Sequence, residues 1–431
     1  MPPAEGGGME IFMKEKLAYY IKHFSSRLFV FFKWLIFSIL SGIIVGGIGT
    51  LFYFCMAYAT NTRSDYPWLI FFLPIAGIFI VGAYRIMHDE KDTGTNLVLS
   101  AIHSGESIPL KMAPLIFIST VLTHLFGGSA GREGAALQLG GSIGNSLGRV
   151  FRFDEKDQHI MIMCGMSAAF SALFGTPMAA AIFSMEVVSV GIMHYSALVP
   201  CVVSSLVAHG IAIYFGIVPE QFVIQSLPAF SIKSAIIIAI LAVLCAVVSI
   251  LFCVALHTSE KLYKHFFQNP YLRVFVGGAL VLLLTLFVGN QDYNGAGMFI
   301  IERCFQGNCV PYAFLLKIVF TALTLGAGYK GGEIVPSFFI GATFGFTFGN
   351  LLGFSPELCT AVAMGSVFCG VTNCPISSLL ICFELFGFQA MPYFLLSIAF
   401  SYMLSGYYGL YHSQKIVYSK YKTEFINRQT H

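Results

Sequence analysis

The chain has 431 residues, of which 57% are hydrophobic and 10% charged, with a formal net charge of +3 at pH 7 and a mean hydropathy of +0.78. An average soluble domain carries roughly 25% charged residues, so these values exclude an ordinary soluble protein and indicate an integral membrane protein. The small net charge gives no reason to expect a nucleic-acid partner. With no nucleophile–base motif and no metal-ligand cluster in the sequence, neither a membrane enzyme nor a cofactor is expected.

Residues 1–27 carry Lys14, Lys16, Lys22 and Arg27 ahead of the first long apolar run, and 412–431 carry Lys415, Lys420, Lys422 and Arg428 after the last. The positive-inside bias therefore puts both ends in the cytoplasm, which requires an even number of crossings. The first apolar run is longer than a signal-peptide core, and the short polar tail leaves no room for a regulatory domain. Runs able to cross the hydrocarbon, which takes about 20 helical residues, occupy 28–59, 68–84 with its flanks, 235–256, 274–288 with its flanks, and 391–411. Between them lie runs shortened by glycine and proline, at 113–127, 160–174, 177–193 and 338–354. These predict half-helices or tilted helices, because irregular backbone at membrane depth persists only inside protein or along a wet cavity. Most of the eleven cysteines fall in apolar segments, and Cys304 and Cys309 in CFQGNC are the candidates for a local pair.

The chain repeats itself. GREGAALQLGG begins at Gly131 and GGEIVPSFFIG at Gly331, so that Glu133 faces Glu333 and Gly141 faces Gly341, 200 residues apart. Further on, Pro177 with Glu186 matches Pro375 with Glu384, 198 residues apart. Two transmembrane repeats are expected, 28–217 and 218–411. Matched Gly- and Pro-interrupted segments are the mark of transporters whose substrate site lies at the repeat interface.

Glu133 and Glu333 are the leading candidates for chemistry, since a carboxylate at membrane depth is costly unless paired, hydrated or protonated. Burial favours the protonated form of a carboxyl, which suits a proton carrier. The bland alternative is that each glutamate caps a helix start. Glycine-framed helix starts leave unpaired N–H groups that bind anions. A carboxylate beside such a start competes with a free anion, so protons and anions would move in opposite directions. Arg132 reads as a local pairing partner or a residue of an aqueous vestibule. Glu186 and Glu384 read as ends of half-helices with structural roles, and His124 as a satisfied internal residue.

GREG at 131–134, GGEIVP at 331–336, GLY at 409–411 and GESIP at 105–109 together resemble the CLC family of chloride channels and anion/proton antiporters, over most of the chain. The resemblance implies an all-α polytopic membrane protein with the CLC fold, two inverted-topology repeats of broken, tilted helices, and a homodimer with one pathway per subunit. It implies a gating and proton-accepting glutamate at Glu133 and an inner constriction at Tyr411. It also implies an anion pathway that includes Glu106, Ser107, Gly131, Arg132, Gly134, Gly332, Ile334 and Val335.

The departures point within the family. Ala135 stands where chloride-transporting members have proline after GREG, and Glu106 stands at the usual serine of the first motif. Val187 occupies the place of their internal proton-transfer glutamate, and Glu333 that of an isoleucine. This pattern is similar to the fluoride/proton antiporter branch, although Val335 replaces that branch's threonine. The expected function is fluoride export by exchange for protons, in a bacterial inner membrane. A chloride/proton antiporter and a chloride channel of the same fold are the alternatives.

Overall fold

In the computed structural model the described residues are 6–89 and 93–431. Residues 1–5 and the Lys14 side chain, part of the expected cytoplasmic segment 1–27, lie outside them. Among the described residues, sixteen helices follow one another, and each half of the chain contributes eight in the same order. The first eight are α1 (Gly6–Asp65), α2 (Leu73–Ile86), α3 (Thr95–Ser104), α4 (Met112–Leu125), α5 (Glu133–Val150), α6 (Glu155–Phe174), α7 (Pro177–Glu186) and α8 (Leu198–Tyr214). The second eight are α9 (Ile232–Phe266), α10 (Pro270–Val288), α11 (Met298–Phe305), α12 (Ala313–Ala327), α13 (Ile334–Leu352), α14 (Pro356–Thr372), α15 (Pro375–Phe386) and α16 (Met391–Leu404). Six spans among the described residues are long and apolar enough to cross a membrane. The run 338–354, expected as a shortened piece, belongs to one of these six, α13, whereas 113–127 and 177–193 give the short helices α4 and α7.

The helix pairs α5/α6 and α13/α14 form the interior, and nearly all their residues are buried. Glycine lets them touch backbone to backbone. A Cβ on Gly140 would lie 2.1 Å from the Gly165 carbonyl oxygen, and one on Gly345 would lie 2.2 Å from that of Cys359. Any side chain at either point would force the helices apart.

The helix starts set the repeat register. α5 begins at Glu133 after Arg132, and α13 begins at Ile334 after Glu333. Arg132 is therefore the repeat counterpart of Glu333, and Glu133 that of Ile334, a shift of one residue from the gapless sequence comparison. A helix turns by about 100° per residue, so the two carboxylates leave their helix starts in different directions.

Helices α7 and α15 run antiparallel and exchange caps. Glu384 accepts hydrogen bonds from the Met178 and Ala179 amides at the start of α7, both at 2.9 Å. Glu186 accepts from the Ile376 and Ser377 amides at the start of α15, at 3.1 and 2.8 Å, and from the Ser377 hydroxyl. The proline that opens each helix has no N–H to satisfy, and the carboxylate of the other half takes up the donors that follow.

Two segments differ from the sequence reading. The run 391–411 is not one helix: α16 stops at Leu404, Gly406 turns at φ +60°, and the chain passes unwound through Tyr411. The polar tail is a small sheet, in which β1 (Ser189–Val190) pairs parallel with β2 (Lys415–Tyr418) and β2 antiparallel with β3 (Phe425–Gln429). Buried Gln414 donates to the Val187 and Thr372 carbonyls, and the Thr430 hydroxyl donates to the Tyr411 carbonyl at 2.6 Å. Cys304 and Cys309 remain free thiols.

Replacing Glu186 or Glu384 with alanine removes charge-assisted bonds to buried donors, each worth about 1.5–3 kcal/mol. Thermal unfolding in detergent is expected to fall clearly for both alanine variants and less for glutamine, which keeps an acceptor. An unchanged midpoint in Glu186→Ala would show that the exchanged caps do not hold the halves together.

Candidate functional site

Two glycine loops meet at the centre. The Gly131 amide donates to the Gly332 carbonyl at 2.6 Å and the Gly332 amide returns the bond at 2.8 Å, a closed antiparallel pair between the halves. Both residues must lack a side chain, since a Cβ on Gly332 would lie 2.4 Å from the Gly134 nitrogen. The loop leading to Gly131 is braced from below. The Gly295 amide donates to the Gly128 carbonyl at 2.9 Å and Asn294 Nδ2 to the Gly127 carbonyl at 2.6 Å. Buried Lys317 holds that brace, its ammonium donating to the Tyr293 and Gly295 carbonyls at 3.1 and 2.7 Å. Arg63 donates to the carbonyl of His124, whose own ring is bonded to the Thr120 carbonyl.

The bridge sets the starts of α5 and α13 against each other, and a glutamate stands at each. Glu133 is wholly buried; its Oε2 accepts from the Arg132 amide at 3.0 Å and its Oε1 from Arg132 Nε at 3.3 Å. Arg132 in turn lies over the Tyr53 ring at 4.7 Å and brings Nη2 within 3.8 Å of Glu220. The carboxylate thus occupies a main-chain donor that a free anion would otherwise take.

Glu333 is placed differently. It stands at the N-cap of α13 without making a capping bond, and its Oε2 has no hydrogen-bond partner. That oxygen faces the start of α5, where a Cβ on Gly134 would lie 3.2 Å from it. Glu333 borders a cavity of about 830 Å³ that also reaches Tyr411. The Tyr411 hydroxyl is buried and has no partner either. Ile334 and Val335 fill the first turn of α13, with amides that lack acceptors within their own helix.

The structure therefore gathers Gly131, Arg132, Glu133, Gly134, Gly332, Glu333, Ile334, Val335 and Tyr411 around one point. Two expectations need correction. The amides of Gly131 and Gly332 each donate to the other residue's carbonyl and are not open to an anion. Glu106 and Ser107 lie away from the site: α3 ends at Ser104 with Gly105 as its left-handed cap, so GESIP follows a helix instead of opening one. Both residues are exposed, and Ser107 accepts a hydrogen bond from Arg149.

The helix start that faces Tyr411 is that of α3, and sequence reasoning missed it. Gly94, Thr95 and Asn96 border the cavity with Gln138. Gln138 donates to the Thr95 hydroxyl at 3.2 Å, which in turn donates to the Gly134 carbonyl at 3.4 Å, and the Asn96 side chain accepts from the Ser413 amide at 2.9 Å. The signal was present in DTGTNLVL at 92–99, a glycine and two helix-opening polar residues before an apolar run.

Gly332→Ala is expected to break the bridge and displace both glutamates while leaving the exchanged caps of α7 and α15 intact. A displacement near 1 Å at a reacting centre can lower a rate roughly 100-fold. Anion flux in proteoliposomes, compared with thermal stability, separates the two effects, and full flux in this variant would remove the bridge from the site.

Residues 77–406 match the family model described as voltage gated chloride channel. The chain is 36% identical over 396 residues to a "Chloride/fluoride channel protein" of Pseudomonas syringae pv. tomato, covering 90% of this chain and 88% of that one. It is 25% identical over 391 residues to an "H(+)/Cl(-) exchange transporter ClcA" of Vibrio cholerae serotype O1, covering 82% of each. The crystal structure of a CLC-type fluoride/proton antiporter superposes with a TM-score of 0.86 at 33% identity, covering 89% of this chain and 98% of that one. That of a slow cyanobacterial Cl−/H+ antiporter superposes with a TM-score of 0.75 at 19% identity, covering 86% and 94%, a likeness of fold alone.

Proposed function

The chain belongs to the voltage-gated chloride channel family and is a CLC-type anion transporter, and from that premise we propose that it exports fluoride in exchange for protons. The observation that carries this reading is the unpartnered Glu333 carboxylate oxygen bordering the cavity, with the wholly buried Glu133 at the facing helix start. Two carboxylates near one anion path repel the anion unless protonated. In this mechanism an anion enters the cavity past the Tyr411 hydroxyl, which donates to it, and meets Glu333 in its neutral form.

Protonation of Glu133 weakens its hold on the Arg132 amide. The side chain then leaves, the anion takes the vacated donor, and the proton travels the opposite way. Fluoride is favoured as the anion by the names of the 36% identical relative and the 33% identical solved structure. It is also favoured physically, because a small, strongly hydrated ion needs dense donors in a narrow site. The glycine-framed helix starts leave such a site no room for bulk.

The same reading takes 28–217 and 218–411 as the repeats and two copies as a homodimer in the lipid bilayer. It places the protein in a bacterial inner membrane with both termini cytoplasmic, supported by the bacterial sources of the relatives. The protein works as a secondary transporter rather than an enzyme.

Proteoliposomes loaded with fluoride or chloride, with external pH recorded in the same run, test the proposal. Fluoride efflux with opposed proton uptake is expected. Chloride efflux as fast as that of fluoride would sink the fluoride assignment, and anion flux without proton movement would make the protein a channel. Glu133→Gln is expected to abolish proton movement, because an amide neither takes up a proton nor blocks as an anion. Glu333→Gln is expected to stop or uncouple exchange. Wild-type behaviour of Glu333→Gln would reduce that residue to a structural role.

A further inference from the structure

An exchanger of this kind must bring protons to Glu333 through the cavity that carries the anion, and the cavity wall holds groups suited to it. The rings of His257 and His412 lie 3.9 Å apart, inclined by 31°. His257 stands near the end of α9, with Nε2 3.4 Å from the Leu410 carbonyl oxygen, and His412 directly follows Tyr411. Both border the cavity that reaches Glu333 and Tyr411. Glu260, one turn beyond His257 on α9, borders it as well and is 43% exposed in its side chain, bonded to Lys264 at 2.5 Å.

From solvent inward, the order is an exposed carboxylate, two half-buried imidazoles and a buried, unpartnered carboxylate oxygen. Glu186 and Glu384 are held as caps on α15 and α7 and do not border this cavity. A neutral imidazole has one nitrogen that donates and one that accepts a proton. Two adjacent rings repel each other when both are charged, so the pair holds one proton at a time. Arg273 from α10, Lys330 from the loop before α13 and Arg85 from α2 face the same cavity. Their charge attracts the anion. Asp89, from the end of α2, and Glu260 offset part of it.

We propose that the adjacent His257–His412 pair, loaded at the cavity mouth beside Glu260, delivers protons to Glu333. The proposal rests on the antiport reading. A proton leaves cavity water for one imidazole of the pair and passes from that ring through cavity water to Glu333 Oε2, converting the carboxylate to the acid and leaving the imidazoles neutral.

The test uses the full chain in proteoliposomes, with His257→Asn, His412→Asn and the double variant, recording fluoride efflux and proton uptake together. At about pH 8, where free protons are scarce, exchange in the double variant is expected to slow roughly tenfold. Near pH 6, direct delivery from water restores it, and so does imidazole added on the cavity side. A slowing that is equal at both pH values and unaffected by imidazole would assign the pair a structural role and overturn the proposal, as would unchanged rates throughout. Wild-type fluoride efflux without proton movement would fail the antiport reading itself. Coupled exchange in the wild type with unaffected histidine variants would fail only the relay.

Discussion

The reciprocal hydrogen bonds between Gly131 and Gly332 set a constraint that the rest of the interior answers. They bring the starts of α5 and α13 face to face at membrane depth, and a helix start carries positive partial charge and unpaired amides. Two such starts in a low-dielectric interior repel each other unless negative charge lies between them. The chain supplies it from the two residues at the starts themselves, Glu133 and Glu333. Two helices further along each half, α7 and α15 pose the same problem and receive Glu384 and Glu186.

Four carboxylates thus serve four helix starts, and their hydrogen bonding separates them. Glu186 accepts three bonds and Glu384 two, all from the opposite half, and neither can let go without stranding buried donors. Glu133 is bonded only through its neighbour Arg132, and Glu333 leaves one oxygen with no partner. The loosely held pair is available for work, and the saturated pair holds the frame in which that work is done. The one-residue shift between Arg132–Glu133 and Glu333–Ile334 then makes a nearly symmetric frame asymmetric where it matters. One carboxylate is wholly buried and the other borders the cavity.

Much of this was legible in the sequence because its causes are local. Apolar length, glycine and proline punctuation and the doubled GREG and GGE elements mark the membrane class, the broken helices and the paired glutamates. Pairing Glu133 with Glu333 misplaced the register because gapless matching follows side-chain identity, whereas the repeat follows helix starts. The assignment of Glu106 and Ser107 rests on the likeness of GESIP to a family motif alone, and in the fold both residues follow the end of α3 on the surface. The exchanged caps and the His257–His412 pair join residues from distant parts of the chain, 191 positions apart for Ser377 and Glu186. No spacing within one segment encodes such a contact.

The tail was the least legible part, and its role follows from what it fixes. Tyr411 lies on unwound chain beyond α16, where no helix holds it in place. Its main chain is tied instead by the Thr430 hydroxyl from the far end of the sheet, while Gln414 bonds to the carbonyls of Val187 and Thr372 in both halves. A hydroxyl that meets an anion must be positioned closely and yet have no fixed partner of its own. Helical backbone would have held Tyr411 just as firmly, but it would have carried the chain straight past the meeting point of α5 and α13. Unwinding after Gly406 lets the chain turn into the interior, and the sheet restores the rigidity that unwinding removes. The polar residues that mark 412–431 as a tail are thus the donors and acceptors that hold the inner wall of the site.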